Sequence, residues 1–492
     1  MTATLLPEHD GLYYGGDWHE SADGHKAEVI SPGNGERLGQ VAVAKAADVD
    51  RAVAAATAGY RIWRDVMPLE RARILREMAA IVERKGAELA ALDAADCGNP
   101  VKEMRADAAM AAAQINFFAG LVTEMKGSSV PAGPRGLNYS VREPLGVVGR
   151  IVPFNHPFMF CGGKAAAPLA AGNAVIMKPP EQAPLSALRL AELVGHLFPA
   201  GVFNILTGGA EAGASLASHP DVAAIALIGS VPTGRAVMKA AAETIKPALL
   251  ELGGKNALIA FPDADPSVIG DAIVDGMNFT WCGQSCGSTS RVFVHASIYD
   301  RVLEQVKKSV GRYRPGLPTD PGTTMGAIVS EAQHKKVLRY IESARAEGAR
   351  LLHGGRVPQD EALRNGFYIE PTIFADVTSD MTIAREEIFG PVVGIIRWDD
   401  EEAMYRQVNG LEYGLTCSIW TDDLGAAQRA VRRVEAGFVW INETSRHIVG
   451  TPFGGFKQSG LGREECLEEL ISFTREKHVH INTARRAGGG QN

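Results

Sequence analysis

No apolar run in this sequence is long. Stretches such as 225–228 and 392–396 are strand-length and far short of the roughly 20 residues that a membrane-spanning helix needs. The first ten residues hold neither a basic stretch nor an apolar one, so no secretory signal is expected. Cysteine is scarce: positions 97, 161, 282, 286, 417 and 466 account for all six in 492 residues. That is too few for a disulfide framework, so a reducing, cytoplasmic setting is expected, and a cysteine that matters is read as a nucleophile rather than a staple. Positive charge is not in excess either. With 50 basic against 57 acidic residues the net charge is −7, which offers no footprint for nucleic acid and no attraction to an anionic membrane. Low-complexity linkers and fixed-period repeats are also missing, which excludes solenoids and predicts domains that interleave.

What is there is an ordinary globular composition, 46% hydrophobic and 22% charged, on a chain long enough for two or three domains. Residues 48–95 read as alanine-rich helix, with Pro68 opening a second long helix from its first turn. The Gly/Pro/Ser-rich stretch 128–136 reads as a loop, and 138–150 as a hairpin turning at Glu143-Pro144-Leu145-Gly146. From 147 onward short apolar runs alternate with helical patterns. Strands are expected at 147–153, 173–178, 203–207 and 223–228, and helices at 157–171, 183–197, 211–218 and 233–242. Such alternation predicts an α/β fold with a parallel sheet covered on both faces and ligands at the carboxyl ends of its strands. A second α/β unit begins near Leu250, with strands at 256–260, 291–295, 392–397 and 417–420 and helices at 266–281, 298–312 and 331–347. Segment 472–481 reads as a strand, and the Gly-rich tail at 488–490 is expected to be disordered.

Three positions carry candidate chemistry. Cys286 follows Gly283-Gln284-Ser285, whose small side chains leave room and backbone N–H groups around it. A thiolate needs such donors, or positive charge, to bring its pKa below about 8.5. The bland alternative is a small buried residue. No metal site is expected, because no second Cys pair or His cluster accompanies Cys282 and Cys286. Glu251 lies between leucines and ahead of Gly253 and Gly254. It is either a solvated acid at a strand end or a buried one, whose raised pKa would suit a general base. Asn155, in Val152-Pro153-Phe154-Asn155-His156-Pro157, is either the cap of a helix starting at Pro157 or a rigid amide able to stabilise an oxyanion.

Nucleotide signals are spread over several strand ends. Thr207 to Gly213 lacks the G-x-G-x-x-G spacing and is weak alone. Ile228-Gly229-Ser230 to Gly234 follows a strand and opens a helix, the place where a pyrophosphate binds. Lys178-Pro-Pro-Glu181 ends another strand, and its Lys and carboxylate suit ribose hydroxyls. Three such loops on one sheet predict a dinucleotide crevice.

Taken in order, Pro153-Phe154-Asn155, Lys178 to Glu181, Gly229-Ser230 to Gly234, Glu251-Leu252-Gly253-Gly254-Lys255, Gly283 to Cys286, Glu387-Ile388-Phe389-Gly390-Pro391 and Pro452-Phe453 to Gly460 resemble the motif series of the aldehyde dehydrogenase superfamily. The resemblance runs over essentially the whole chain. It implies a parallel-sheet NAD-binding domain (1–125 and 146–252) interleaved with a second α/β catalytic domain (253–460). A small bridging, oligomerisation element (126–145 and 461–492) would complete a homodimer or homotetramer.

It also implies roles. Cys286 would be the nucleophile, Asn155 and the Cys286 N–H the oxyanion hole, Glu251 the base that activates water, and Glu464 a second acid for proton relay. Pro153, Phe154, Lys178, Glu181, Gly213, Gly229, Ser230, Leu252, Gly253, Glu387 and Phe389 would hold the cofactor. NAD is expected over NADP, since Glu181 would repel a 2′-phosphate. His156, Phe160, Gly163, Thr280, Ser285, Gly287, Arg446, His447 and Phe453 would shape the pocket. With Gly162 and Gly163 in place of bulkier side chains, a roomy pocket for an aromatic or bulky aldehyde is expected. Arg446 leaves open a semialdehyde bearing a carboxylate. Transfer of the acyl group to CoA and a catalytically silent binding protein are the other readings; the presence of Glu251 speaks against the first, and Cys286 with Glu251 against the second.

Overall fold

A computed structural model describes residues 6–134 and 136–482; the Gly-rich tail lies outside them. The alanine-rich stretch folds as two helices, Ala46–Trp63 and Pro68–Cys97. The second starts on a proline, whose absent N–H would be unpaired there anyway, and stops at Gly98 with φ 87°. A third helix, Val101–Gly120, has no counterpart in the sequence reading.

Among the described residues the first sheet has eight strands. Its parallel centre runs in the spatial order Phe203–Ile205, Ala174–Lys178, Val147–Ile151, Val222–Gly229, Ala248–Leu252. The chain therefore steps outward one way from Val147–Ile151 and then the other way from Val222–Gly229. That reversal opens a crevice between those two strands at their carboxyl ends. Register aligns the ends: Ile151 lies opposite Lys178, and Ile228 opposite Glu251. All five residues of Ala174–Lys178 are buried, as expected of a strand covered on both faces.

The second sheet has seven strands, with Ala257–Ala260 and Arg291–His295 near its middle. Thr372–Ala375 and Phe438–Ile441, four residues each, also belong to it and were too short to read from periodicity. A separate three-stranded sheet joins Ser129–Pro131, Gly136–Pro144 and Thr474–Asn482.

Four expectations need correction. Segment 138–150 is not a hairpin: Gly136–Pro144 pairs with Thr474–Asn482 and Ser129–Pro131, whereas Val147–Ile151 enters the first sheet. The stretch 128–136 is not all loop, since Ser129–Pro131 is a strand. The helix expected over 157–171 splits into Pro157–Gly163 and Ala166–Ala171; two glycines weaken it there and Pro168 withholds an N–H. The helix expected over 266–281 ends at Gly276, after which Asn278 adopts φ 55°. That turn steers the following loop, with Cys286, back towards the crevice between the sheets.

Candidate active site

Asn256, just before a second-sheet strand, clamps the cysteine loop. Its Nδ2 donates to the carbonyls of Cys286 (2.6 Å) and Ser288 (3.0 Å), while its Oδ1 accepts the Thr416 N–H. Glu251, near the end of Ala248–Leu252, is 3% exposed and lines one cavity with Cys286. Burial, then the charge of Glu464, raises the Glu251 carboxyl well above its usual range. Burial, with Glu251 next, pushes the Cys286 thiol up as well. The expected lowering of the thiol by small neighbours and backbone donors is therefore not found, and one Glu251 oxygen, Oε1, has no partner among the described residues. A buried, half-satisfied acid beside a thiol is poised to accept a proton rather than to hold the fold together.

Asn155 follows Val147–Ile151, on the other side of Val222–Gly229 from Glu251's strand, and is buried; it is not among the residues that line the cavity of Cys286 and Glu251. Its carbonyl accepts Asn99 Nδ2 at 2.8 Å, which fixes the backbone. The helix-cap alternative fails, because His156 holds the cap position of Pro157–Gly163 and no side chain caps that helix.

Opposite Glu251 stands a different group of acids. Arg150, fully buried, donates to Glu469 (2.8 Å) and Glu464 (2.5 Å). Lys164 reaches Glu464 Oε2 at 2.9 Å and Glu465 Oε1 at 3.2 Å. Burial acts to raise the Glu465 carboxyl, but Lys164 and His447 outweigh it and bring it down to about 2. Glu464 is thus held by two cations in the resting structure.

These residues border a cavity of about 250 Å³. Of the pocket candidates, His156, Phe160, Ser285, Gly287, His447 and Phe453 line it, together with Cys286, Glu251 and Glu464. Three candidates do not. Thr280 lines a separate surface recess with Lys102 and Tyr313, because the turn at Asn278 rotates it away. Arg446 is 69% exposed on its side chain and sits 3.8 Å from Glu443. Gly163 is covered by the Gln114 amide, which a side chain at 163 would strike, so the space expected there is already filled.

The cofactor candidates gather along the crevice. Ser230 caps Val231–Ala242, its Oγ accepting the Thr233 N–H at 3.3 Å, and leaves the helix start open to an anion. Lys178 ends its strand 8% exposed, and Glu181 packs over Gly209, where a Cβ would strike its carboxylate. Gly213 sits against Ile151 on the same side, and Pro153 and Phe154 continue the adjoining strand. Glu387 accepts the Gly254 N–H at 3.1 Å and lies so close to Gly253, next to Leu252, that any side chain there would collide with it. Phe389, at φ 55°, is held by Gln333 Nε2 donating to its carbonyl at 2.7 Å, and meets Phe154 edge-on at 5.7 Å. The open helix start at Ser230, the Lys178 and Glu181 pair, Glu387 and the edge-on contact of Phe154 with Phe389 are the groups that could hold a nicotinamide dinucleotide.

Several site residues escaped sequence reasoning. Arg150 and Lys164 could have been flagged as charges embedded in apolar runs. Asp107, Met110 and Gln114 share one face of Val101–Gly120 at helical spacing, a signal hidden because that helix was not delineated. Asn99 and Asn256 carry no local signature.

Comparison with known proteins follows from this geometry. The profile of the aldehyde dehydrogenase family matches residues 18–479. The aldehyde dehydrogenase tropH of Talaromyces stipitatus is 52% identical over 485 residues, covering 97% of this chain and 94% of that one. An NAD+ complex of an aldehyde dehydrogenase from Bacillus cereus superposes with a TM-score of 0.94 at 36% identity, over 98% of each chain. An indole-3-acetaldehyde dehydrogenase in complex with NAD+ superposes with a TM-score of 0.93 at 36% identity, over 96% of this chain and 97% of its own.

Proposed function

The chain belongs to the aldehyde dehydrogenase family, and from that premise we propose that it oxidises bulky aromatic aldehydes to carboxylic acids, with NAD preferred over NADP, through a thioester on Cys286. The observation that carries this reading is a cavity in which Cys286 and Glu251 meet beneath walls of Met110, Met159, Phe160, Trp281 and Phe453. The Cys286 thiol gives up its proton to water, and the thiolate adds to the aldehyde carbon. The Asn155 amide and the Cys286 N–H hold the resulting oxyanion. A bound nicotinamide dinucleotide would supply the hydride acceptor, with Lys178, Glu181 and Ser230 at one end and Glu387 and Phe389 at the other. Loss of hydride from the tetrahedral carbon leaves the thioester. Glu251 then removes a proton from the water that hydrolyses it, which favours hydrolysis over transfer to CoA, and Glu464, whose charge acts on Glu251, is the second acid to which that proton would pass.

The substrate class follows from charge and shape. Arg446 points to Glu443 and solvent, while Asp107, Glu464 and Glu465 line the cavity; a substrate carboxylate would meet acids rather than the arginine. The indole-3-acetaldehyde dehydrogenase among the structural relatives supports a bulky aromatic instead. Glu181 supports NAD, since its carboxylate would repel a 2′-phosphate. Oligomerisation through the three-stranded sheet is supported by Leu137, Val141 and Ile481, each at least 37% exposed and on one side of that sheet, an apolar face suited to a second copy. None of the six cysteines is bridged and no helix among the described residues can cross a membrane, in keeping with a cytoplasmic enzyme.

The test is reduction of NAD by aromatic, aliphatic and carboxylate-bearing aldehydes, with Cys286→Ala alongside. Aromatic aldehydes should give the highest kcat/KM, and the variant should lose at least about 10⁴-fold in rate, as expected when a covalent nucleophile is removed. A preference for the carboxylate-bearing aldehydes, or turnover only with added CoA, would refute it.

A further inference from the structure

One wall of the cavity contains something that packing does not require. His156 Nδ1 and Asp107 Oδ2 are 2.7 Å apart, joining the turn after Asn155 to the helix Val101–Gly120. The imidazole plane is set by its flanks, edge-on to Phe160 at 5.4 Å and tilted on Trp281 at 5.5 Å. Both residues line the cavity that holds Cys286 and Glu251. A phenyl ring would fill the same place between two aromatic neighbours, with no carboxylate to bury behind it. An acid and an imidazole in an otherwise largely apolar wall point to a ligand.

With Nδ1 tied to Asp107, the remaining polar atom is Nε2. It makes no hydrogen bond among the described residues, and it is not one of the sealed, unpartnered polar atoms, so it opens onto the cavity. We propose that Asp107 and His156 form a fixed dyad that recognises, through Nε2, a hydroxyl group on the body of the aldehyde substrate. This rests on the aromatic reading above and narrows it to hydroxylated aromatic aldehydes. Asp107 keeps a proton on Nδ1 in either charge state of the ring, so Nε2 is a donor when the ring is protonated and an acceptor when it is neutral. A hydroxyl satisfies both states, because it donates as well as accepts; a methoxy group satisfies only the first.

The groups that face the ring give this a pH signature. Burial alone would lower the pKa of His156, but Asp107, together with Asp93 and Glu103, outweighs it and raises the value above the ordinary 6.5. Raising the pH through that point deprotonates Nε2. Preference for a methoxy substrate over its methyl counterpart should then disappear, while preference for the hydroxyl persists until the substrate phenol itself ionises.

The experiment measures kcat/KM with NAD for ortho, meta and para hydroxy-, methoxy- and methylbenzaldehydes, from pH 6 to 9, in wild type, His156→Phe, His156→Gln and Asp107→Asn. The ratio of hydroxy to methyl substrate is taken within each variant, so a general loss of activity cancels. Wild type should favour the hydroxy compound about 10–100-fold for at least one positional isomer, the range of one buried hydrogen bond to substrate. His156→Phe should bring that ratio to about one, chiefly through KM. His156→Gln, which keeps a donor and an acceptor, should restore part of it, and Asp107→Asn should move the pH at which the methoxy preference ends. A wild-type ratio near one, or a ratio unchanged in His156→Phe, overturns the dyad's role while leaving the aromatic reading intact. Failure of every benzaldehyde alongside turnover of short aliphatic aldehydes overturns both.

Discussion

Glu251 and Glu465 border the same cavity, both almost sealed from solvent, yet they are held in opposite states. Glu251 has no cation in contact and one oxygen without a partner, and burial pushes its carboxyl up. Glu465 faces Lys164 at 3.2 Å and His447 at 3.7 Å, and is brought down to about 2. Burial is common to both, so the neighbouring charge decides whether a buried acid is a base in waiting or half of an ion pair. The first arrangement suits chemistry. The second ties Gly163's helix and the Arg150 strand to the segment 464–469, which closes the cavity from the far end of the chain.

The largest effect should come from the unpaired side. Glu251→Gln leaves the cysteine and the oxyanion donors in place but removes the group that activates water. Acylation should still deliver up to one equivalent of reduced cofactor per site, after which steady-state turnover falls about 10³-fold. Rapid-mixing absorbance would show the burst; steady-state turnover within tenfold of wild type would mean that another group serves as the base.

On the paired side the loss should appear in stability. Lys164→Met strands the charges of Glu464 and Glu465, and removing one partner of a buried ion pair destabilises by about 3–4 kcal/mol. Urea unfolding should show a lower midpoint with an unchanged slope. Glu251→Gln, by contrast, should leave the midpoint unchanged or raise it at pH 7, because it removes an acid that the fold would rather keep neutral.

The two acids should also bend the pH dependence of stability in opposite directions. Glu465 has a depressed pKa, so its contribution, about 3 kcal/mol from an ordinary 4.5 to about 2, is present above the unfolded value near 4.5 and lost as pH falls towards 2. Glu251 has a raised pKa, so folding binds its proton more tightly than the unfolded chain does, and stability declines as pH rises through and above that unfolded value. Denaturant titrations from pH 3 to 8 should show a flatter acid limb in Glu465→Gln and a flatter neutral limb in Glu251→Gln. Parallel curves for the two variants would break the contrast.

How much of this is written locally in the chain differs between the two sides. Glu251 and Asn155 each sit in a short motif at a strand end and Cys286 in one past a helix, because a reacting group needs a particular backbone turn beside it, and turns have local residue requirements. The ion pairs have no such signature. Arg150 and Glu464 are 314 residues apart, and only the fold makes them neighbours. The same nonlocality defeated the hairpin expectation, since the partner of Gly136–Pro144 is the strand Thr474–Asn482. Thr280 was misplaced for another reason. The apolar pattern of 266–281 continues through Asn278 without showing that this residue turns left-handed, which Asn tolerates better than most. Arg446 shows the limit of reasoning from residue type alone, which leaves both a substrate carboxylate and a surface ion pair open; the side chain is exposed beside Glu443.

The smallest expected effect lies in the crevice, and it extends the contrast to an acid that is neither sealed nor ion-paired. Glu181 is exposed, accepts a hydrogen bond from Gln182 at 3.2 Å and rests against Gly209, so its charge is fully hydrated and acts only on what approaches it. Screening by water and salt keeps such an interaction modest, about 1 kcal/mol. Glu181→Ala should therefore narrow the preference for NAD over NADP roughly fivefold, mainly by improving KM for NADP. The shift should shrink as ionic strength rises from 0.02 to 0.5 M, unlike the salt-insensitive consequences of Lys164→Met. An unchanged cofactor ratio would remove Glu181 from cofactor discrimination and leave Lys178 as the ribose-directed group of that loop.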